Sequence, residues 1–420
     1  MQVLVIGYVW PEPNSSAAGR RMMDLIGVFK ARGAQITFAS AAQRGEHSVD
    51  LEAQGVVTAS ISLNCSSFDS FVAELKPEVV IFDRFFTEEQ FGWRVERSCA
   101  SALRILDTED LHCLRHARHQ ALKQGRQVQR EDFFGELAQR EIAAIWRCDL
   151  SLIISDYEFN LLQHTFGVAK DVLHYLPLLA LRDAYDVSEW RRFSDRQHCV
   201  VIGNFRHAPN WDAVQYLRSQ IWPKIRKSIP TLECHIYGAY PPPKALQLHS
   251  EKLGFLVKGW ATDAAAVVEG ARLCLAPLRF GAGQKGKLLE AMECGTPSIT
   301  SDIGAEGMHG EMPWCGAIVK DSAQFAEDFA AAVLRFYEDQ AAWQAAQLQG
   351  RALIASRFSR NAHLAQFEQR IDELLPQLER HRMLHFNSVM LRHQTLKSHQ
   401  YMSQWIEAKN RLAAVDGDVL

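Results

Sequence analysis

The 420-residue chain contains no run of about 18 apolar residues, so no segment is expected to cross a bilayer as a helix. It also contains no CxxC pair. The nine cysteines (Cys65, Cys99, Cys113, Cys148, Cys199, Cys234, Cys274, Cys294 and Cys315) are scattered and odd in number. That usage fits reduced thiols in the cytoplasm and excludes a disulfide framework or a cysteine-based zinc site. Charge of one sign is missing too: 46 basic residues face 49 acidic ones, net −3, which leaves no global field for nucleic acid or a membrane surface. Any membrane contact would be peripheral. Repeats and low-complexity segments are absent, and the sixteen histidines form no HExxH pattern, so no metal ligand set is expected. The opening MQVLVIGYVWPEP lacks a basic leader and its apolar run has strand length, which reads as a first strand and not as a signal peptide.

What is present is a rhythm. Short Val/Ile/Leu runs alternate with helix-length amphipathic segments, the pattern of parallel sheets covered on both faces. In the first half the spacing predicts strands at Val3–Gly7, Gln35–Ala39, Val56–Ile61, Val79–Asp83, Leu103–Asp107 and Leu150–Ile154. Helices are expected near Ala17–Arg32, Phe68–Lys76, Glu88–Cys99, Leu111–Lys123, Glu131–Arg147 and Asp156–Phe166. The rhythm breaks over 177–197, a polar stretch read as a linker, and restarts with strands at Cys199–Gly203, Glu233–Tyr237, Phe255–Lys258, Leu273–Ala276, Ser298–Thr300 and Ala317–Val319, with a helix over Asn210–Ser228. The expected organisation is a first Rossmann-like domain (1–176), the linker (177–197), a second Rossmann-like domain (198–357) and C-terminal helices (358–420) returning to the first domain. Two doubly wound domains place a cleft where their strand C-termini face each other.

The most informative segment is APLRFGAGQKGKLLEAMECGTPSITSDIGAEG, 276–307. A strand runs into Gly281-Ala282-Gly283, and Lys285 and Lys287 precede a short helix carrying Glu290. Bare amides, a helix N-terminus and lysines suit a diphosphate. With a helix starting near Gln284, Gly283, Lys287 and Glu290 share one face, and Leu288, Leu289 and Met292 turn to the core. Carboxylates commonly hold ribose hydroxyls, so a nucleotide lying along that face fits. The bland alternative is a tight turn beside solvated charges. A Walker A loop does not fit, because Leu288 stands where a hydroxyl residue is needed. The spacing Gly281-x-Gly283-x-x-Gly286 is a weak dinucleotide fingerprint this late in the chain.

This segment resembles the donor motif of retaining GT-B glycosyltransferases of family four (glycosyl transferases group 1). VVIGNFRHAPNWDAVQYLRSQIWPKIRKSIP, HIYGAYPP and KGWATDAAAVVEGARLCLAPL are similar to other parts of that family's C-terminal domain, and IISDYEFNLLQHTFGV to the end of its N-terminal domain. The resemblance implies two Rossmann-like domains in a GT-B fold and transfer of a sugar, with retention, from a nucleotide diphosphate sugar to an acceptor such as a glycan or lipid-linked glycan. It implies no cofactor and no metal, since amides and lysines take the metal's place. Carried over, Gly281, Ala282, Gly283, Lys285, Lys287 and Glu290 bind the donor, with Lys287 catalytic. Asn204, Arg206, His207 and Asn210 add phosphate or sugar contacts, Tyr237, Gly238 and Trp260 line the base pocket, and Gly19 and Arg20 face the donor across the cleft. The family's first glutamate, eight positions before Glu290, falls on Ala282. Its catalytic N-domain histidine has no direct counterpart. Asp107, Glu109, Asp110 and His112 crowd that place, and Asp110 and His112 are taken as the catalytic candidates.

Two other readings stay open: a non-catalytic GT-B module that binds a nucleotide sugar or a partner, suggested by Ala282, and a GT-B sugar-nucleotide epimerase, which would require an acid/base group at C2 of the sugar. Arg115, Arg118, Lys123, Arg126 and Arg130 form a basic stretch with no acidic residue inside it. It reads either as a solvated helix or as a surface for an anionic acceptor.

Overall fold

The computed structural model describes residues 1–417; the end of the expected C-terminal helical region (358–420) lies outside them, at 418–420. Among the described residues thirteen strands form two wholly parallel sheets. The first contains β1 (Gln2–Gly7), β2 (Gln35–Ser40), β3 (Val57–Ser60), β4 (Val79–Asp83), β5 (Leu103–Asp107), β6 (Leu150–Ile153) and β7 (Leu173–Tyr175), in the order β3-β2-β1-β4-β5-β6-β7. The second contains β8 (Gln197–Ile202), β9 (Cys234–Tyr237), β10 (Phe255–Gly259), β11 (Ala271–Ala276), β12 (Ser298–Ser301) and β13 (Gly316–Val319), in the order β10-β9-β8-β11-β12-β13. Each order reverses beside its first strand, the doubly wound arrangement that opens a crevice at the strand C-termini.

Strand period explains why the first sheet is buried on both sides. Val3, Val5, Val79, Ile81, Leu103 and Ile105 face one core with Leu25 and Phe29 of helix Ala17–Ala31. Leu4, Ile6, Val80, Phe82 and Leu106 face the other, with Phe85, Phe91 and Ile145. The predicted strands lie within a few residues of the observed ones. The omission is β7, whose three residues are too short to show a period. The helix expected over Asn210–Ser228 is divided into Ala208–Tyr216, a π-helical stretch Leu217–Ile221 and Trp222–Ser228. Pro223 has no N–H to continue the ladder, which accounts for the break. Likewise Gly135, extended at φ −70° and ψ 173°, separates a 3₁₀ turn (Arg130–Phe134) from helix Glu136–Arg147.

The linker is short of regular structure but well packed. Leu178, Ala180, Tyr185 and Trp190 are buried beside Leu288, Leu289 and Met292. The C-terminal helices do return to the first domain: Phe367, Ile371, Leu374 and Leu378 complete its core. The last helix, Phe386–Gly417, runs along helices Arg84–Ser98 and Glu136–Arg147. Arg382 and Arg392 both reach the buried Asp149, at 2.7 and 3.0 Å. Among the described residues no helix is long and apolar enough to cross a membrane.

Candidate active site

On the second domain the site grows from the C-terminal end of β11. Helix Gly286–Glu293 buries Leu288, Leu289 and Met292 and leaves Lys287 and Glu290 half-buried at the surface of the cleft. The helix starts two residues later than its sequence suggests, so Lys285 is its N-cap residue and remains in the loop. Lys287 Nζ donates to Asn210 Oδ1 at 2.5 Å, and Asn210 Nδ2 donates to the carbonyl of Asn204 at 2.9 Å. Gly203, at the end of β8, completes this group. A Cβ there would stand 2.7 Å from the Asn210 amide nitrogen and 2.9 Å from Lys287 Nζ, so glycine is what admits the lysine. Burial lowers Lys287 to about 8. Burial, and then the charge of Glu293, raises Glu290 to about 7. Among the described residues the Glu290 carboxylate has neither a hydrogen-bond nor an ion-pair partner, which is unusual for a desolvated charged group.

A pocket adjoins this helix between the domains. Asn14 and Ser15 line it from the first domain, and Gly203, Asn204, Tyr237, Gly238 and Trp260 from the second. Trp260 is 38% exposed and stacks on His47 with ring centroids 4.3 Å apart. Arg206, expected to contact phosphate or sugar, lies over the Tyr240 ring at 3.6 Å, and Tyr240 Oη donates to Glu12 at 2.8 Å. Arg206 thus braces the pocket wall from behind Tyr240.

The glycine loop differs most from expectation. Its amides do not all face the cleft: Gly283 N donates to Glu158 Oε1 at 2.8 Å, and the same oxygen accepts from Leu111 N at 2.9 Å. Gly283 sits at φ +62°, and a Cβ would lie 2.8 Å from that of Asp110, so both conformation and space demand glycine. Arg118 donates to the Gly281 carbonyl at 2.8 Å and grips Glu306 through two 2.7 Å bonds. Lys285 turns back on its own loop, donating to the carbonyls of Gly283 (2.5 Å) and Ala282 (3.3 Å); burial lowers it to about 8. Ala282 is 7% exposed and belongs to the apolar core of the first domain. The position of the absent glutamate is therefore a packing position here.

The same docking settles other expectations. Arg20, expected to face the donor, forms a two-pronged ion pair with Glu293 (2.8 and 3.0 Å) and donates to the Leu179 carbonyl. The Gly19 amide is occupied by the Ser16 hydroxyl that caps helix Ala17–Ala31, and a Cβ on Gly19 would strike the Glu12 backbone. The basic stretch is mostly neutralised: Arg115 pairs with Asp110, Arg118 with Glu306 and Arg126 with Asp132. Only Lys123 and Arg130 of the five lack an ion pair among the described residues.

Asp110 packs against Gly283 of the glycine loop, and His112 Nδ1 lies 3.6 Å from the Asp110 carboxylate. Burial by itself would raise Asp110, but the Arg115 guanidinium and the nearby histidines His112 and His207 hold it well below the usual carboxylate range. Glu141 accepts from the amides of His112 (2.9 Å) and Cys113 (2.8 Å), fixing the start of helix His112–Lys123. Beside them Glu109 is buried in the left-handed region at φ +63°, and burial followed by the charge of Asp107 pushes it well above the usual range. It has no hydrogen-bond partner among the described residues. Glu158 escaped the sequence reading because an acidic residue in a first helical turn ordinarily only complements the helix dipole. Nothing in its local pattern announces a partner 125 residues away.

Residues 196–339 match the family model described as glycosyl transferases group 1. No curated protein sequence matches the chain. Among solved structures, sucrose-phosphate synthase from Thermosynechococcus elongatus superposes with a TM-score of 0.64 at 15% identity, covering 90% of this chain and 99% of that one. Anabaena HepE in complex with UDP and glucose gives 0.64 at 12%, covering 89% and 100%. WaaG, described as a glycosyltransferase involved in lipopolysaccharide biosynthesis, gives 0.60 at 14%, covering 86% and 98%. The chain has the GT-B fold, and the part of its second domain over 196–339 is similar to the glycosyl transferases group 1.

Proposed function

We propose that the protein transfers a sugar from a nucleotide diphosphate sugar to an acceptor hydroxyl with retention at the anomeric carbon, in the manner of family four, and needs no metal at the donor phosphates. The observation that carries this reading is the pair Lys287 and Glu290. Both are desolvated, both stand on one short helix beside the interdomain pocket, and the carboxylate is unpartnered. A nucleotide in that pocket would stack its base near Trp260 and Gly238, give its ribose hydroxyls to Glu290 and set its diphosphate by Lys287 and Asn210. The bond from the anomeric carbon to the diphosphate breaks as the acceptor oxygen bonds on the same face. The proton of the acceptor passes to the departing phosphate. Lys287 stabilises the charge that develops there, a contribution typically of ~2.7–4 kcal/mol for a well-placed donor. Asp110 and His112 would orient the acceptor from the first domain. HepE was solved with UDP, which makes uridine the first base to try. All nine cysteines are free thiols and seven are buried, which supports a cytoplasmic setting.

Thermal-shift measurements with UDP, GDP, ADP and TDP test the donor site. A ligand at about 100 Kd adds roughly 2.7 kcal/mol and should raise the melting temperature visibly. Donor hydrolysis with the matching nucleotide sugars then tests turnover, which should disappear in Lys287→Ala and Glu290→Ala. Unchanged nucleotide affinity in both variants overturns the placement of the site, and binding without turnover of any donor overturns the transferase reading.

A further inference from the structure

At the opposite end of the second sheet from the cleft, three metal-ligating side chains converge that the transferase reading leaves unused. Glu233 and His235 are two residues apart at the start of β9, so their side chains project from the same face. Parallel pairing sets Val200 against His235 and Cys199 against Cys234. His198, two residues before Val200, therefore joins that face from β8. His235 Nε2 lies 2.7 Å and His198 Nε2 3.9 Å from the same oxygen, Glu233 Oε2. The two imidazole rings are 4.6 Å apart and tilted by 31°. All three ligand atoms fall within 4.8 Å of one another, and each residue is half-buried. We propose that His198, Glu233 and His235 form a divalent transition-metal site that takes Zn2+.

The geometry suits such an ion better than a plain hydrogen bond does. Zinc–ligand bonds of about 2.0–2.2 Å place ligand atoms roughly 3.3–3.5 Å apart around a tetrahedron, and the observed separations bracket that spacing. A lone His–Glu hydrogen bond would use one imidazole and leave the second aimed at an oxygen it does not reach. An N₂O donor set is typical of Zn2+, with Cu2+ and Ni2+ as competitors, and the partial exposure leaves a fourth position for water. Two cations lie nearby, and among the described residues neither pairs with Glu233. The Arg272 guanidinium is held by the carbonyls of Arg196, Phe193 and Tyr337; the other is Lys258. The ion would tie β8 to β9 where the linker enters the second domain, far from the strand ends that carry the donor site. Its role is to fix that junction and not to take part in sugar transfer.

Calorimetric titration of the chelator-treated full chain with ZnCl2 tests the site. One ion should bind and the melting temperature should rise. His235→Ala and His198→Ala, checked for native circular dichroism, should weaken binding by more than the roughly 10–100-fold lost with an outer-shell contact. Glu233→Gln preserves side-chain shape should the histidine variants not fold, and it should weaken binding as well. A wild-type chain that takes up no Zn2+, or Zn2+ affinity unchanged in any folded variant of the three, overturns the proposal.

Discussion

Glu290→Gln separates what this carboxylate does for the fold from what it does for a ligand. In the folded chain burial raises Glu290 from 4.5 to about 7. The folded state therefore keeps a proton that the unfolded chain releases between those values. Stability linked to this group is fully present below about pH 4.5 and is lost as pH rises through 7. At 1.36 kcal/mol per pKa unit the loss approaches ~3 kcal/mol, nearer 2 once the partial exposure of the side chain is allowed for. Glutamine has the same shape and no charge to desolvate. The variant should match the wild type at pH 4 and exceed it by roughly 2–3 kcal/mol at pH 8. With an unfolding entropy of about 2.1 cal/mol/K per residue, that is about 2–4 °C in melting temperature. Nucleotide binding should move the other way. Loss of a charged hydrogen bond to ribose costs about 1.5–3 kcal/mol, or roughly 10–150-fold in affinity. Opposite signs in stability and binding mark a group kept for function at the expense of the fold. Thermal melts at both pH values and nucleotide titration of each protein supply the readouts. A stability difference that does not change with pH refutes the desolvation argument, and unchanged nucleotide affinity refutes the ribose assignment.

Three more outcomes follow from named contacts. Ala282→Glu buries a carboxylate in the first domain's core and should destabilise the protein by several kcal/mol in denaturant titration; a variant of native stability with gained activity would contradict the packing role. Arg118→Ala leaves Glu306 without its partner and should cost about 3–5 kcal/mol, with much of the effect shared with Glu306→Ala in a double-mutant cycle; additive effects would show that the pair does not couple the domains. Asp149 sits at about 2, since Arg382, Arg104 and Arg392 outweigh the burial that would raise it; the stability it supplies, roughly 2 kcal/mol, should be present above pH 4 and lost as pH falls towards 2. Asp149→Asn should flatten that acid limb and loosen the last helix, read as faster amide exchange over 386–417, and an unchanged acid limb would refute the assignment.

Much of the architecture was legible along the chain because it is written in local period. Alternating apolar runs fixed the parallel strands, and Gly281-Ala282-Gly283 with Lys287 and Glu290 marked the ligand end of β11 and its helix. Pro223 and Gly135 were visible too, and the breaks they cause are the ones that strand and helix counting passed over. What no window could contain was the pairing of distant residues. Arg20 looked like a free cation at a loop end, yet Glu293 claims it; Arg118 looked like part of a solvated face, yet it holds Gly281 and Glu306.

The sequence by itself determined the two doubly wound domains and the place of Lys287 and Glu290, because hydrophobic period and turn chemistry act within a few residues. The tertiary structure alone decided which charges are spent on joining the domains and which stay free for a ligand. That sorting depends on long-range contacts: Glu158 reaching Gly283, and the first domain's core closing over Ala282. The residue that stands where the resembled family has its first glutamate is an alanine packed into an apolar core, where burying a charge is costly.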